Sequence, residues 1–365
     1  MSRKGSERME KKWIYWLEEV CADHNNLVGK KCANLGELTK AGFHVPPGYA
    51  LSVDAYTRFM NESGAKADVL KYLSTFSADP DNLRDTMKFE EASKTIRGIV
   101  ESKKMPLDME KTVKEYYATL CQRTKCEDIP VATRSAGPVS HPGQYETYLH
   151  VKGTDDVVQN VIRVWASTFN TRSIIARARL GLPVEYDPIG VAVLTMVDAR
   201  AAGVMFSLNP TDGDETKVVL EGNWGLGEAV VSGSINPDRF LVDKILLQIE
   251  ERTISRKEKE FVYNERTREM EYRELPAELK EVPCLEDKEI LELTKVSKKI
   301  EAYFGCPQDS EWVISKSLPF PENVFLVQTR PESVWSKKKK GPVLGQKSGL
   351  EMLIERAVTP TKVKL

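Results

Sequence analysis

Two short stretches near the end of the chain carry acids, an amide and an arginine at strand spacing: "DSEWVIS" at 309–315 and "NVFLVQTRPE" at 323–332. Side chains alternate across a strand, so Asp309 and Glu311 share one face, as do Gln328 and Arg330 on theirs. If the strands pair, these four groups meet on one surface. Carboxylates suit Mg2+, a hard cation that takes a few oxygens plus phosphate. Arginine grips phosphate in a bidentate fork. An isolated buried guanidinium is too costly, so Arg330 must be paired or face an anion. On this hairpin alone, a plain cross-strand Glu–Arg pair remains the alternative.

A second stretch, "VATRSAGPVSHPGQYETY", again puts an arginine, Arg134, at the end of an apolar strand. The loop after it carries Gly137, Ser140, Gly143 and Thr147, small residues that let backbone N–H groups approach an anion. A plain surface loop would look the same. In "LVGKKCANLG", Lys31 falls near a helix start, where the helix dipole disfavours a cation unless an anionic ligand is present. A solvated lysine is the alternative. "NWGLGEAVVSG" is Gly-rich but matches neither a Walker loop nor a dinucleotide fingerprint.

These residues need elements to hold them. "KKWIYWLEEV" reads as a strand, and residues 25–42 as a helix closed by Gly42 and an extended Pro-Pro segment. Ser52 can cap a helix through "VDAYTRFM", and residues 62–128 read as helical and charged. "IPVATRS" is a short strand. Val158, Val161, Ile162, Trp165 and Phe169 then recur at helical spacing. "GVAVLTMVDARAAGVMFSLNP" predicts two strands around a turn. "TKVVLEGNWGLGEAVVSGSINPDRFLVDK" predicts a strand, a Gly-rich turn and another strand. "RKEKEFVYNERTREMEYREL" predicts a charged, exposed hairpin suited to docking, and residues 287–305 a helix. Helices dominate before residue 185 and strands after it, which gives an α+β, two-lobed architecture. The expected division is a disordered tail at 1–12, lobes at 13–190 and 191–335, and a lysine-rich linker and tail at 336–365.

Composition excludes several classes. With 53 basic and 54 acidic residues the formal net charge is −1, so nothing suggests nucleic-acid or membrane-surface binding. There is no membrane-length apolar run and no signal-peptide core. The six cysteines are scattered without paired spacing, which reads as reduced thiols in the cytoplasm and no zinc site.

Taken in order, "LVGKKCANLGELTKAGFHVPPGY", "VATRSAGPVSHPGQYETYLHV", "VIRVWASTFNTRSIIARARLG", "GVMFSLNP", "NWGLGEAVVSGSINPDRFLVD" and "DSEWVI…FLVQTRPE" resemble the ATP-binding portion of phosphoenolpyruvate synthase and pyruvate phosphate dikinase. The resemblance implies an ATP-grasp fold over residues 13–335, with ATP and Mg2+ between its lobes. It implies that Lys31, Arg134 and Arg330 contact phosphates and act in catalysis, and that Glu311 and Gln328 hold Mg2+ and phosphate oxygens. Asp309 matches an acid near the metal. The loop from Ser135 to Thr147 resembles the phosphate-covering loop, and Glu221 and "VLTMV", with Met196, fall where the family lines its nucleotide cleft. The family's "GGK" is Gly29-Lys30-Lys31 here, so a lysine replaces a glycine, and Lys31 is the expected phosphate ligand. His141 stands where the relatives have no histidine.

In the full-length enzymes a swivelling domain with a phosphorylatable His follows, in a "GGxTSHAA"-type motif. The four histidines here (His24, His44, His141 and His150) lie in no such motif. The expectation is an ATP-cleaving component whose His and acceptor site sit on a partner subunit. That arrangement resembles phenylphosphate synthase, with phenol as acceptor; a phosphoenolpyruvate synthase component acting on pyruvate is the alternative. Two other readings are an ATP-binding regulatory subunit without chemistry and a small-molecule kinase sharing the module.

Overall fold

The computed structural model describes residues 12–138 and 145–335. Ser140, Gly143, His141 and the tails expected at 1–12 and 336–365, Lys12 excepted, lie outside the described residues.

The first lobe is built on an antiparallel sheet of β1 (Ile14–Trp16), β2 (Gly48–Leu51), β3 (Val131–Ala136), β4 (Thr147–Val151) and β5 (Gly190–Thr195), in the order β1-β2-β5-β3-β4. Around it lie α1 (Asn25–Val28), α2 (Lys30–Lys40), α3 (Val53–Glu62), α4 (Ala65–Leu73), α5 (Thr86–Glu101), α6 (Leu107–Thr124), α7 (Thr154–Ala166) and α8 (Thr171–Arg179). The Ser52 hydroxyl caps α3, accepting from the Ala55 N–H. The apolar stripe of α7 buries Val157, Val161 and Trp165 against Phe59, Phe89 and Val113, giving this lobe its own core.

The second lobe is an antiparallel sheet of β6 (Ala199–Phe206), β7 (Lys217–Trp224), β8 (Asp238–Asp243), β9 (Gln248–Thr253), β12 (Gln308–Ser315) and β13 (Val324–Pro331), ordered β13-β12-β6-β7-β8-β9. Between β9 and β12 come the separate hairpin of β10 (Lys259–Asn264) and β11 (Glu269–Glu274) and the helix α10 (Asp287–Phe304); the short α9 (Glu228–Val231) follows β7. Gly305, at φ 68°, ends α10 in the left-handed region.

Two expectations change here. The strands in "GVAVLTMVDARAAGVMF" do not form a hairpin: β5 lies between β2 and β3 in the first sheet, and β6 between β12 and β7 in the second. Both edges of β5 are taken, so β6 cannot pair with it. Residues 196–198 connect β5 in the first sheet to β6 in the second. The single helix expected from 25 to 42 is broken at Gly29 (φ 81°), where an added Cβ would stand 1.8 Å from the Ala136 carbonyl oxygen. Only glycine fits that approach.

After that break, α2 runs between the two sheets. Its Cys32, Leu35 and Leu38 pack in one core with Ala50, Ala192 and Leu194 of the first sheet and Met205, Ile314 and Leu326 of the second. The alanines on the first sheet's face leave room for the helix. One wedge therefore joins the lobes, and its first turn carries Lys31.

Candidate active site

A cavity of about 1450 Å³ opens between the sheets, larger than a usual small-molecule site. Lys31 enters it from α2, Arg134 and Thr147 from β3 and β4, and Glu221 from β7. Asp309, Glu311, Gln328 and Arg330 enter from the β12–β13 hairpin. The expected pairing is present: Asp309 lies opposite Arg330 and Glu311 opposite Gln328.

Arg134 ties this surface to the first lobe. One guanidinium nitrogen, Nη2, donates to Glu311 Oε2 at 3.1 Å and to Gln328 Oε1 at 3.2 Å. The other, Nη1, donates to the Val327 carbonyl at 3.2 Å. Arg330 makes the second cation–carboxylate contact, with Nε 3.4 Å from Asp309 Oδ2. The hairpin thus does contain a cross-strand acid–Arg pair, but on Asp309, while Glu311 is engaged from the other lobe. Arg134 Nε and Asp309 Oδ1 are buried with no hydrogen-bond partner among the described residues. Burial holds the Asp309 carboxyl above its ordinary range, although Arg330 pulls the other way.

Lys31 is the lysine of "GKK" that lines the cavity. Burial draws its amine down to about 8; Arg134 beside it adds to the fall and Glu311 opposes it. Lys30 instead donates its backbone N–H to the Gly137 carbonyl at 2.9 Å. The foot of the loop is thereby fixed to the start of α2, and Gly137 does not line the cavity. A lysine in place of the family's second glycine leaves that backbone contact intact.

Beside the polar cavity lies an apolar slot of about 110 Å³. Ala132, Leu194 and Met196 form its first-lobe wall, and Leu226, Val313 and Val327 the other. A β-bulge shapes the junction. The pairing steps from Glu311–Gln328 to Trp312–Leu326, which leaves Val327 as an extra residue. Val327 lines the slot and the adjacent Gln328 the cavity, while Leu326 turns into the core.

The hairpin expected to be an exposed docking element is partly a wall of the cleft. Phe261, Tyr263 and Met270 face the cavity, and the His150 ring stacks on Tyr263 with centroids 3.3 Å apart. The alternating aromatics of "EFVYN" were the available signal. Tyr145 was also missed; it lines the cavity and donates to Asp187, which Arg177 pairs.

The oxygen donors fit a magnesium ion. A hard cation of this kind uses one or two carboxylates and completes its shell with phosphate and water. Glu311 and Gln328, with Asp309 on the next inward-facing position, offer that set. Among the described residues no cluster of three or more His, Cys, Asp or Glu marks an all-protein metal cage.

Residues 25–349 match the family described as pyruvate phosphate dikinase, AMP/ATP-binding domain. The chain belongs to this family. Proteins similar to it include the phosphoenolpyruvate synthase of Aeropyrum pernix, 38% identical over 91% of this chain and 44% of the relative. The probable phosphoenolpyruvate synthase of Staphylothermus marinus is 37% identical over 91% of the chain and 42% of the relative. For that of Methanocaldococcus jannaschii the figures are 36%, 90% and 27%. The chain spans less than half the length of these relatives. Its α+β architecture is that of the dikinase ATP-binding domain. No helix among the described residues is long and apolar enough to cross a membrane.

Proposed function

We propose that the chain carries out the ATP half of a dikinase reaction. The observation that carries this reading is the convergence of Lys31, Arg134 and Arg330 with Glu311 and Gln328 on one interlobe cavity, beside an apolar slot. Adenine occupies the slot against Met196, Leu226 and Val327. The triphosphate runs along β12 and β13, with Lys31, Arg134 and Arg330 on its oxygens and Thr147 alongside.

A phosphorylatable His on a partner subunit attacks the β-phosphorus. The new bond is N–P, the bond from the β-phosphorus to the oxygen of the α-phosphate breaks, and AMP leaves with the electron pair. The pyrophosphorylated His then loses its terminal phosphoryl group to water as phosphate, leaving phospho-His for the acceptor. Glu311 and Gln328 would hold Mg2+, which neutralises charge on the phosphate oxygens when bound. The chain's own work is positioning and charge stabilisation, the usual content of phosphoryl-transfer catalysis.

The relatives' names make pyruvate the first acceptor to test and phenol the second. The deciding experiment incubates the full chain with Mg·ATP, with and without the His-bearing protein, and identifies the nucleotide by ion-exchange chromatography. AMP formed only with the partner supports the reading. ADP overturns it, and ATP binding without turnover leaves a regulatory subunit.

A further inference from the structure

One buried polar side chain beside the cavity has no part in that chemistry. Asn34 is three residues beyond Lys31 on α2, so the two project from one face of the helix. Asn34 is 9% exposed, and its Nδ2 donates to the Thr329 carbonyl at 2.9 Å. Thr329 is the residue between Gln328 and Arg330.

The place of this bond gives it meaning. β13 is the edge of its sheet, so one side of its backbone has no strand partner. The first lobe supplies the partners instead. The Leu326 N–H donates to the His44 carbonyl at 2.8 Å, Arg134 donates to the Val327 carbonyl, and Asn34 to that of Thr329. Apolar packing of Cys32, Leu35 and Leu38 holds α2 between the sheets, but such packing is non-directional and tolerates sliding. A hydrogen bond is directional. Asn34 is the side chain of α2 that fixes the helix to the peptide linking two ligand residues.

We propose that Asn34 is a positioning residue, setting Lys31 against Gln328 and Arg330 so that helix and strand grip the same phosphate chain. The inference rests on the reading of the cleft as the ATP site. A purely structural asparagine would lower stability without affecting how Lys31 works. A positioning one is coupled to Lys31.

The test is a double-mutant cycle in the full chain, reading Mg·ATP affinity by calorimetry and melting temperature in parallel. Lys31→Ala is expected to weaken binding on the order of a hundredfold, because a charged contact is lost. Asn34→Ala is expected to weaken it about tenfold through misplacement. In the Lys31→Ala background, Asn34→Ala should then cost less than about twofold, since nothing is left to position. An equal loss in both backgrounds, or no loss in either, overturns the proposal. Unchanged binding by Lys31→Ala alone removes the lysine's assignment, a failure of the site reading that is visible separately. If Asn34→Ala does not fold, Asn34→Ser, whose shorter donor cannot span the same distance, goes through the same cycle.

Discussion

Arg134 and Gln328 lie on different sheets, 194 residues apart in sequence, and meet at 3.2 Å in the cleft. Arg134 therefore bridges the two lobes through the same oxygens that suit a magnesium ion. Its side chain is 17% exposed and that of Glu311 is 19% exposed. In such a setting, removing one partner costs far more than at a surface pair.

Arg134→Ala should lower the rate of AMP formation by about 10³-fold or more, the scale for losing an arginine from a phosphoryl-transfer site. The far-ultraviolet circular dichroism spectrum should be unchanged. Arg134→Lys should recover little, because one ammonium cannot reach Glu311, Gln328 and the Val327 carbonyl together. Activity near that of the parent in Arg134→Lys would show that the planar fork is not needed.

Lys31 predicts opposite pH responses for folding and for binding. Its amine titrates near 8 in the folded chain, against an ordinary 10.5. Between those values the unfolded chain keeps a proton that the folded chain has released. Stability from this group therefore rises as pH goes from 8 to 10.5, and the penalty is fully present below 8. Phosphate binding needs the ammonium, so Mg·ATP affinity should fall as pH rises above about 8. Calorimetry at pH 9 in buffers of different ionisation heat should show proton uptake on binding, and Lys31→Arg should abolish it.

Met196→Trp should fill the slot of about 110 Å³ and raise the KM for ATP about tenfold or more, as overpacking displaces the base. Inhibition by tripolyphosphate, which needs only the polar cavity, should not change. Equal weakening of both ligands would place the base elsewhere.

Much of this site was legible in the sequence because charge inside a strand is rare. Arg134, Asp309, Glu311, Gln328 and Arg330 stand out against apolar neighbours, and strand alternation puts the last four in register. β4 was missed because "TYLHV" mixes polar and apolar residues at the sheet edge, where burial imposes no clean period. The separation of β5 from β6 depends on which distant strands flank each one, and no local pattern encodes that. Asn34 gave no signal because a neutral amide among Cys, Ala and Leu looks like a helix position of no consequence. Gly29 was visible as a glycine, but its role required knowing that Ala136 stands against it.

The bulge at Val327 also has a consequence for how this strand can change. With a strict two-residue period, Val327 and Gln328 would point to opposite faces; the extra residue lets these neighbours line the slot and the cavity from one side. Slot and polar cavity are thus lined by adjacent letters of the chain. Substitutions at 327 can reshape the slot while leaving Gln328 in the cavity, whereas deleting one residue there would shift the frame of everything upstream. Point mutation is an open route for this strand, and length change is closed.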